Sequence, residues 1–216
     1  MNREAVKQVE YKGYKINIYQ DENYDDLEDW GDESLFLVGY HRDFTVDRSR
    51  RNKEGRSEGG ISQELAQCIA RGGKYEDGSR NDEAAEYVNK YHVFGLEAYI
   101  HSGVCLALSN EGQFPDRQWD VSQLGLVFVS KKEWRIRKKA RKAALGLIKE
   151  WNDYLSGNVY GYMIEDKEGN ESGGCWGYYG DYDDKSNDLI SSAKSEIDYQ
   201  VKEDRAMAKV AIQALA

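Results

Sequence analysis

The sequence contains few of the residues that mark disulfide frameworks, zinc sites and domain linkers. Its 216 residues include one proline, three cysteines and three histidines. Because Pro115 stands alone, no proline-rich hinge divides the chain, and we expect a single domain over residues 1–216. Cys68, Cys105 and Cys175 are an odd and widely spaced set, which indicates reduced thiols in a cytoplasm. The sequence has no CxxC or HxxxH pair to anchor structural zinc.

Long apolar runs and phosphate-loop motifs are missing too. The sequence has no run approaching about 18 apolar residues, so we expect neither a membrane helix nor a signal peptide. It also lacks GxxxxGK[ST] and GxGxxG, so it predicts no nucleotide-binding loop. We therefore expect a soluble cytoplasmic protein without a cofactor or a metal.

Charge is unevenly distributed along the chain. The net charge of −9 argues against general nucleic-acid binding, which needs clustered cations. Residues 21–33 hold eight carboxylates and no base, and residues 131–142 hold eight bases and one Glu. Such segments can steer a charged partner, or they can be solvated faces. The candidate interaction residues are Asp25, Asp26, Glu28, Asp29, Lys131, Arg135, Lys138 and Lys142, of which the four bases have the spacing of a helical stripe.

Hydrophobic periodicity predicts strands that cluster and helices that interrupt them. We expect strands at residues 9–21, 34–41, 93–101, 104–109 and 123–130, and a hairpin within residues 158–180. Helices are expected near residues 61–71, at 82–90, after residue 131 and over residues 184–216, with loops at 42–60, polar and mobile, and at 111–122. Regular βαβ alternation is missing. The pattern favours an α+β fold, with a mixed or antiparallel sheet on which a long helix and a C-terminal helix pack.

Cys175 is the strongest candidate for a nucleophile. Its Gly-Gly-Cys-Trp-Gly context is similar to the Cys-Trp of papain-like proteases and transglutaminases, whose thiolate works beside a histidine. In those families the histidine follows the cysteine, whereas His41, His92 and His101 all precede Cys175. A reversed pair of Cys175 with His101 stays open, and the simpler alternative is a packed strand cysteine.

Several phrases occur in an order typical of one group of proteins. They are Glu-Asp-Trp at 28–30 with His-Arg at 41–42, Tyr-Ile-His-Ser-Gly at 99–103, Trp-Asp-Val-Ser-Gln-Leu-Gly at 119–125, Gly-Asn-Val-Tyr-Gly-Tyr at 157–162 and Cys-Trp-Gly-Tyr-Tyr-Gly at 175–180. Over residues 11–200 the chain resembles an uncharacterised family of proteins encoded by bacteriophages and other mobile elements. The resemblance implies a phage or prophage origin and a location in the host bacterial cytoplasm, and it implies no reaction.

Two functional hypotheses follow. The first is a non-catalytic phage-type binding protein that modulates or inhibits a host factor, such as a bacterial defence system, in the manner of an anti-CRISPR protein. Its partner would be a host protein or nucleoprotein complex, and a homo-oligomer stays open. The alternative is a small enzyme or ligand-sequestering protein with a pocket around His101, Asp120 and Cys175. The candidate pocket residues are His101, Trp119, Asp120, Gln123, Cys175 and Trp176. If their side chains do not come together in space, these residues serve the fold and form no pocket.

Overall fold

The computed structural model describes residues 4–24, 33–41, 61–111, 114–115, 117–184 and 187–214. Within these ranges the strands are β1 (Lys7–Tyr11), β2 (Tyr14–Gln20), β3 (Leu35–Gly39), β4 (Tyr91–Ile100), β5 (Val104–Leu108), β6 (Val121–Ser130), β7 (Val159–Glu165) and β8 (Glu171–Tyr179). The helices are α1 (Gln63–Ala70), α2 (Asp82–Lys90), α3 (Arg117–Asp120), α4 (Arg137–Leu155) and α5 (Leu189–Ala214). The polar loop predicted at 42–60 lies outside the described residues.

The strands form two antiparallel four-stranded sheets. The first sheet has the order β1-β2-β7-β8, and the second has the order β3-β6-β4-β5. The predicted α+β fold is confirmed, although its strands divide between two sheets where the sequence predicted one. Contacts group the chain into unit 1, Met1–Tyr24 with Gly157–Ala216, and unit 2, Asp25–Ser156. Each unit contains one sheet, and the single domain expected from the sequence stays a prediction.

Unit 1 begins with a hairpin that the sequence analysis missed. The single strand predicted at residues 9–21 was wrong, because Lys12 and Gly13 turn the chain between β1 and β2. Both residues have positive φ, 52° and 83°, as a two-residue type I′ hairpin loop requires. The Lys-Gly pair is a weaker turn signal than Asn-Gly, and the alternation of apolar residues continues through it.

The core of unit 1 lies between the first sheet and α5. Ile16 and Ile18 of β2 and Ile164 of β7 pack against Ala193 and Ile197 of the helix, and all five side chains are buried. The predicted packing of the C-terminal helix on a sheet is confirmed, and Ile190 and Val201 of α5 pack against the same cluster while remaining partly exposed.

Unit 2 is built around β6, which lies between β3 and β4. Alternate side chains of an antiparallel strand face opposite sides, yet Val127, Phe128 and Val129 are all fully buried. Phe128 packs with residues of α1 and α2. The second sheet also contacts α4, whose buried side chains are Ala140, Ala144, Leu147, Ile148 and Trp151.

Two predicted boundaries in unit 2 were wrong. The loop expected at residues 111–122 contains the single-turn helix α3, and β6 starts at Val121 directly after it. The long helix starts at Arg137, so Lys131 and Arg135 precede it. Lys131 instead follows β6 directly, and its backbone N–H donates to the Lys90 carbonyl over 2.9 Å. The predicted four-residue helical stripe therefore retains only Lys138 and Lys142 on α4.

Candidate functional site

The predicted pocket residues fall into both units. His101, Trp119, Asp120 and Gln123 belong to unit 2, whereas Cys175 and Trp176 belong to unit 1. Two of the sequence phrases meet within unit 2, because residues 99–103 end β4 and residues 119–125 run from α3 into β6, which pairs with β4. The phrases at residues 157–162 and 175–180 meet within unit 1 in the paired strands β7 and β8. Most of the remaining phrase, at residues 28–30 and 42, lies outside the described residues.

His101 and Asp120 form the contact at the centre of the unit 2 site. The imidazole Nδ1 lies 3.7 Å from the Asp120 Oδ2 atom, and both side chains reach solvent. An imidazole and a neighbouring carboxylate together offer hydrogen-bond donors and acceptors to a polar ligand. Next to Asp120, the indole of Trp119 is 81% exposed. Gln123, three residues further on, accepts a hydrogen bond from the Ser109 hydroxyl over 2.8 Å.

An ion pair between a buried carboxylate and a partly exposed guanidinium positions this site, and the sequence analysis missed it. Glu97 lies on β4 where the register with β6 shifts, and its side chain is 0% exposed. The Arg117 guanidinium donates from Nη1 to Oε1 over 3.0 Å and from Nη2 to Oε2 over 2.8 Å. The Asn110 backbone N–H donates to Oε2 over 3.0 Å. Arg117 begins α3 and Asp120 ends it, so the ion pair fixes the turn that carries Asp120.

The ion pair joins two opposite charges at the base of the site. Hydrogen bonds to Glu97 raise the pKa of the Arg117 guanidinium, a group that is charged at neutral pH in any case. A buried carboxylate is tolerated only with such partners. In the sequence, Glu97 is the one charged residue in the mostly apolar run at residues 93–100. That run marks the carboxylate as unusual, but no local pattern identifies its partner, which lies 20 positions away.

The Cys-Trp phrase of unit 1 is fixed by strand pairing. Cys175 lies opposite Tyr162, and Trp176 with Gly177 forms a bulge opposite Gly161. A Cβ atom at Gly161 would overlap the Trp176 ring, so glycine is required for the indole to lie on the strand. The Cys175 thiol is exposed and donates weakly to the Trp176 carbonyl over 3.8 Å. The three histidines all belong to unit 2.

A second polar contact of unit 1 lies under α5. The Tyr162 hydroxyl donates to Glu196 Oε2 over 2.8 Å. Burial, and then the hydrogen bond to Glu196, raise the pKa of Tyr162. The phenol therefore stays protonated and acts as a donor at neutral pH, which is a structural role.

The basic segment, residues 131–142, forms an exposed surface at the start of α4. Three of its bases have partners: Lys131 donates to the Val88 carbonyl over 2.7 Å, Arg137 lies over the Phe94 ring, and Arg141 pairs with Glu111. The other five side chains are exposed and form no ion pair or hydrogen bond with any residue that the structure describes. These residues, called the basic surface below, are Lys132, Arg135, Lys138, Lys139 and Lys142.

The same helix start lacks the features that normally stabilise one. Ile136 occupies the N-cap, is 56% exposed, and offers no side-chain acceptor to the first turn. The first turn carries no acidic residue and begins with Arg137, Lys138 and Lys139. Cations near a helix N-terminus are unfavourable because of the helix dipole. The acidic candidate interaction residues Asp25, Asp26, Glu28 and Asp29 lie outside the described residues.

In the described ranges, His, Cys, Asp and Glu side chains form no group of three or more that could hold a metal ion. No helix in the described part of the chain combines the length and the apolar character that crossing a bilayer requires. Comparison with protein families, curated proteins and solved structures finds no match to this chain.

Proposed function

We propose that this chain is a non-catalytic binding protein that acts on a host factor through its basic surface. The observation that carries the proposal is a group of five exposed cations without partners among the described residues, on a chain with 39 acidic residues and a net charge of −9. A chain with surplus carboxylates has ample means to neutralise its own cations. Cations that stay unpaired next to an uncapped helix start reduce stability, so an external anionic surface is the simplest reason for them.

The proposed host factor is a component of a bacterial defence system, bound in the bacterial cytoplasm. Support comes from the ordered sequence phrases, which resemble proteins of bacteriophages and mobile elements. The charge distribution adds to it, since basic and acidic segments in one chain suit recognition of a protein or nucleoprotein complex. On this proposal the protein inhibits by occupying a surface and carries out no reaction.

The test is a charge reversal scored in living cells. Bacterial strains that each carry one defence system are supplied with the chain and infected with a phage that the system restricts. We expect plating to be restored in at least one strain, and to be lost with Lys138→Glu and Lys142→Glu combined. These changes place acids in the first turns of α4, so the fold should be maintained.

The matched control reverses two charges elsewhere in unit 2. Arg71→Glu with Lys74→Glu alters the same number of exposed bases, neither of which belongs to the basic surface. If both double variants protect the phage equally, or if the native chain protects in no strain, the proposed function is wrong.

A second candidate function is a ligand site, which is favoured by the contact between His101 and Asp120. The alternative is a small enzyme or ligand-sequestering protein with its site at His101 and Asp120 of unit 2, whereas Cys175, the third residue predicted for that site, belongs to unit 1. A specific ligand raises the Tm according to its concentration over Kd. Thermal shift against divalent metals and nucleotides, repeated with His101→Ala and Cys175→Ala combined, tests it, and an unchanged Tm across the panel would reject it.

A further inference from the structure

Gly146 lies in the middle of α4, where nothing in the described part of the chain requires a glycine. Its backbone is helical, it is exposed, and a Cβ atom there would meet no other atom within 4 Å. Glycine in an exposed helix interior reduces stability relative to alanine, because it loses more backbone freedom on folding. Gly146 therefore reduces the stability of α4, the longest helix that the structure describes in unit 2.

The residues around Gly146 belong to the basic surface. In a helix of 3.6 residues per turn, Lys142 and Lys139 lie one and two turns before Gly146 on the same side. The neighbouring Leu145 is 37% exposed and lies one turn after Lys142. Lys149, one turn later, is already paired with Asp153 over 2.9 Å. The outward face of α4 thus combines three unpaired cations, one apolar side chain and one glycine, and we call Lys138, Lys139, Lys142, Leu145 and Gly146 the α4 face.

We propose that the α4 face is the contact surface for an acidic helix of the partner protein, with closest approach at Gly146. This inference rests on the proposed function and specifies its surface and its partner. Two packed helices lie 8–10 Å apart depending on the side chains between them, so a glycine allows a closer approach. Leu145 supplies apolar contact at that point, and carboxylates of the partner helix meet Lys138, Lys139 and Lys142.

The small number of unpaired cations on the α4 face favours a polypeptide over a nucleic acid. Binding to a phosphate backbone grows with the number of phosphates neutralised and is opposed by a net negative protein. The chain has a net charge of −9 and a pI near 5.0. Three cations around a glycine match a few carboxylates on one helix face, and specificity then comes from the fit at Gly146.

The experiment measures stability and binding on the same variants. The probe is a fluorescein-labelled alanine-rich helical peptide with glutamates along one face, and binding is followed by anisotropy. We expect Gly146→Gln to raise the Tm by about 2–4 °C, because a good helix former replaces glycine. The same change should weaken peptide binding roughly tenfold by filling the point of closest approach. Gly146→Ala should raise the Tm and weaken binding less.

Two further variants separate the outcomes. Ser195→Gln adds the same side chain on the exposed side of α5 and should leave binding unchanged, whereas Lys138→Glu with Lys142→Glu should abolish it. If Gly146→Gln binds like the native chain while the charge reversal does not, the α4 face is wrong and the proposed function stands. If neither changes binding, both are wrong.

A different partner on the α4 face would be recognised by a different binding result. Tighter binding of a duplex DNA that depends on the same residues would replace the acidic helix by a nucleic acid. Self-association of the native chain that Gly146→Gln abolishes would replace it by a second copy. Lack of peptide binding at millimolar concentration would also overturn the inference.

Discussion

At the scale of single residues, Glu97 places a carboxylate inside unit 2 with Arg117 as its charged partner. Arg117→Met is expected to remove two hydrogen bonds and the opposite charge from that buried carboxylate, and so to destabilise unit 2. The measurement is urea denaturation followed by tryptophan fluorescence. Asp120 would lose its fixed position, so its distance from His101 should vary, which NMR of the imidazole would detect.

The control for the Arg117 prediction removes both charges at once. Glu97→Met combined with Arg117→Met replaces the pair by apolar side chains of similar volume and should recover most of the lost stability. If the double variant is as unstable as Arg117→Met, the loss comes from packing and not from the removal of the opposite charge.

Tyr162 predicts how stability depends on alkaline pH. Burial and the hydrogen bond to Glu196 raise its folded pKa above the unfolded value of about 10. A raised pKa means that the contribution of this group is complete below pH of about 10 and is lost as the pH rises above it. Tyr162→Phe should therefore lower stability at pH 7 by about 1–2 kcal/mol and make the decline between pH 9 and 11 shallower.

The measurement is Tm against pH for both proteins, with Tyr199→Phe as control for the loss of one phenol. Tyr199 is exposed, so its substitution should leave the alkaline decline as it is. Equal slopes for the native chain and Tyr162→Phe would contradict the assignment.

At the scale of elements, α4 protects the edge of the second sheet through one side chain. Asn152 accepts from the Leu106 backbone N–H over 2.7 Å and donates to the Leu106 carbonyl over 3.0 Å. β5 is an edge strand, and unpaired edges promote pairing with other chains. Asn152→Ala should cost about 2–3 kcal/mol, because two backbone groups of a buried residue lose their partners.

Urea denaturation and light scattering at rising concentration check this prediction. Lys149→Ala on the same helix breaks only a surface ion pair and should cost less than about 0.5 kcal/mol. An Asn152→Ala protein as stable as Lys149→Ala would show that water replaces both hydrogen bonds.

Helices and strands were predictable from the sequence where a periodic pattern ended at a residue that caps or turns the chain. For α2, Asn81 caps the helix by accepting from Ala84, and the predicted bounds are those observed. The prediction was wrong where the boundary had no strong local cue. The β1–β2 turn depends on positive φ at Lys12, and the start of α4 at Arg137 follows an N-cap without a capping side chain.

The candidate site was predictable only in part for the same reason. The phrases containing His101 and Asp120 were recognisable, and strand pairing brings those two residues together. Glu97 was not, because its burial depends on a guanidinium contributed by a separate helix. Gly146 was not singled out either, since its lack of neighbours is visible only after the helix has packed.

At the scale of the whole molecule, strand pairing between distant segments produces the two-sheet arrangement. β2 pairs with β7, which joins Lys15 to Glu165 across most of the chain. Composition and periodicity indicate an α+β class, but they do not specify which strands share a sheet. The division into two units is therefore a property of these distant pairings, and it could not be derived from any one window of sequence.

Separate cores in the two units lead to a test of how the chain unfolds. Ile197 is fully buried against the first sheet, and Ile197→Ala should remove about 2–4 kcal/mol from unit 1. Because the core of unit 2 shares none of these side chains, hydrogen exchange should accelerate in β2, β7, β8 and α5 and stay unchanged in β4 and β6. Leu126→Ala is the reciprocal variant for unit 2 and should produce the opposite pattern. Equal acceleration in both sheets would mean that the two cores unfold together, which is the behaviour of the single domain expected from the sequence.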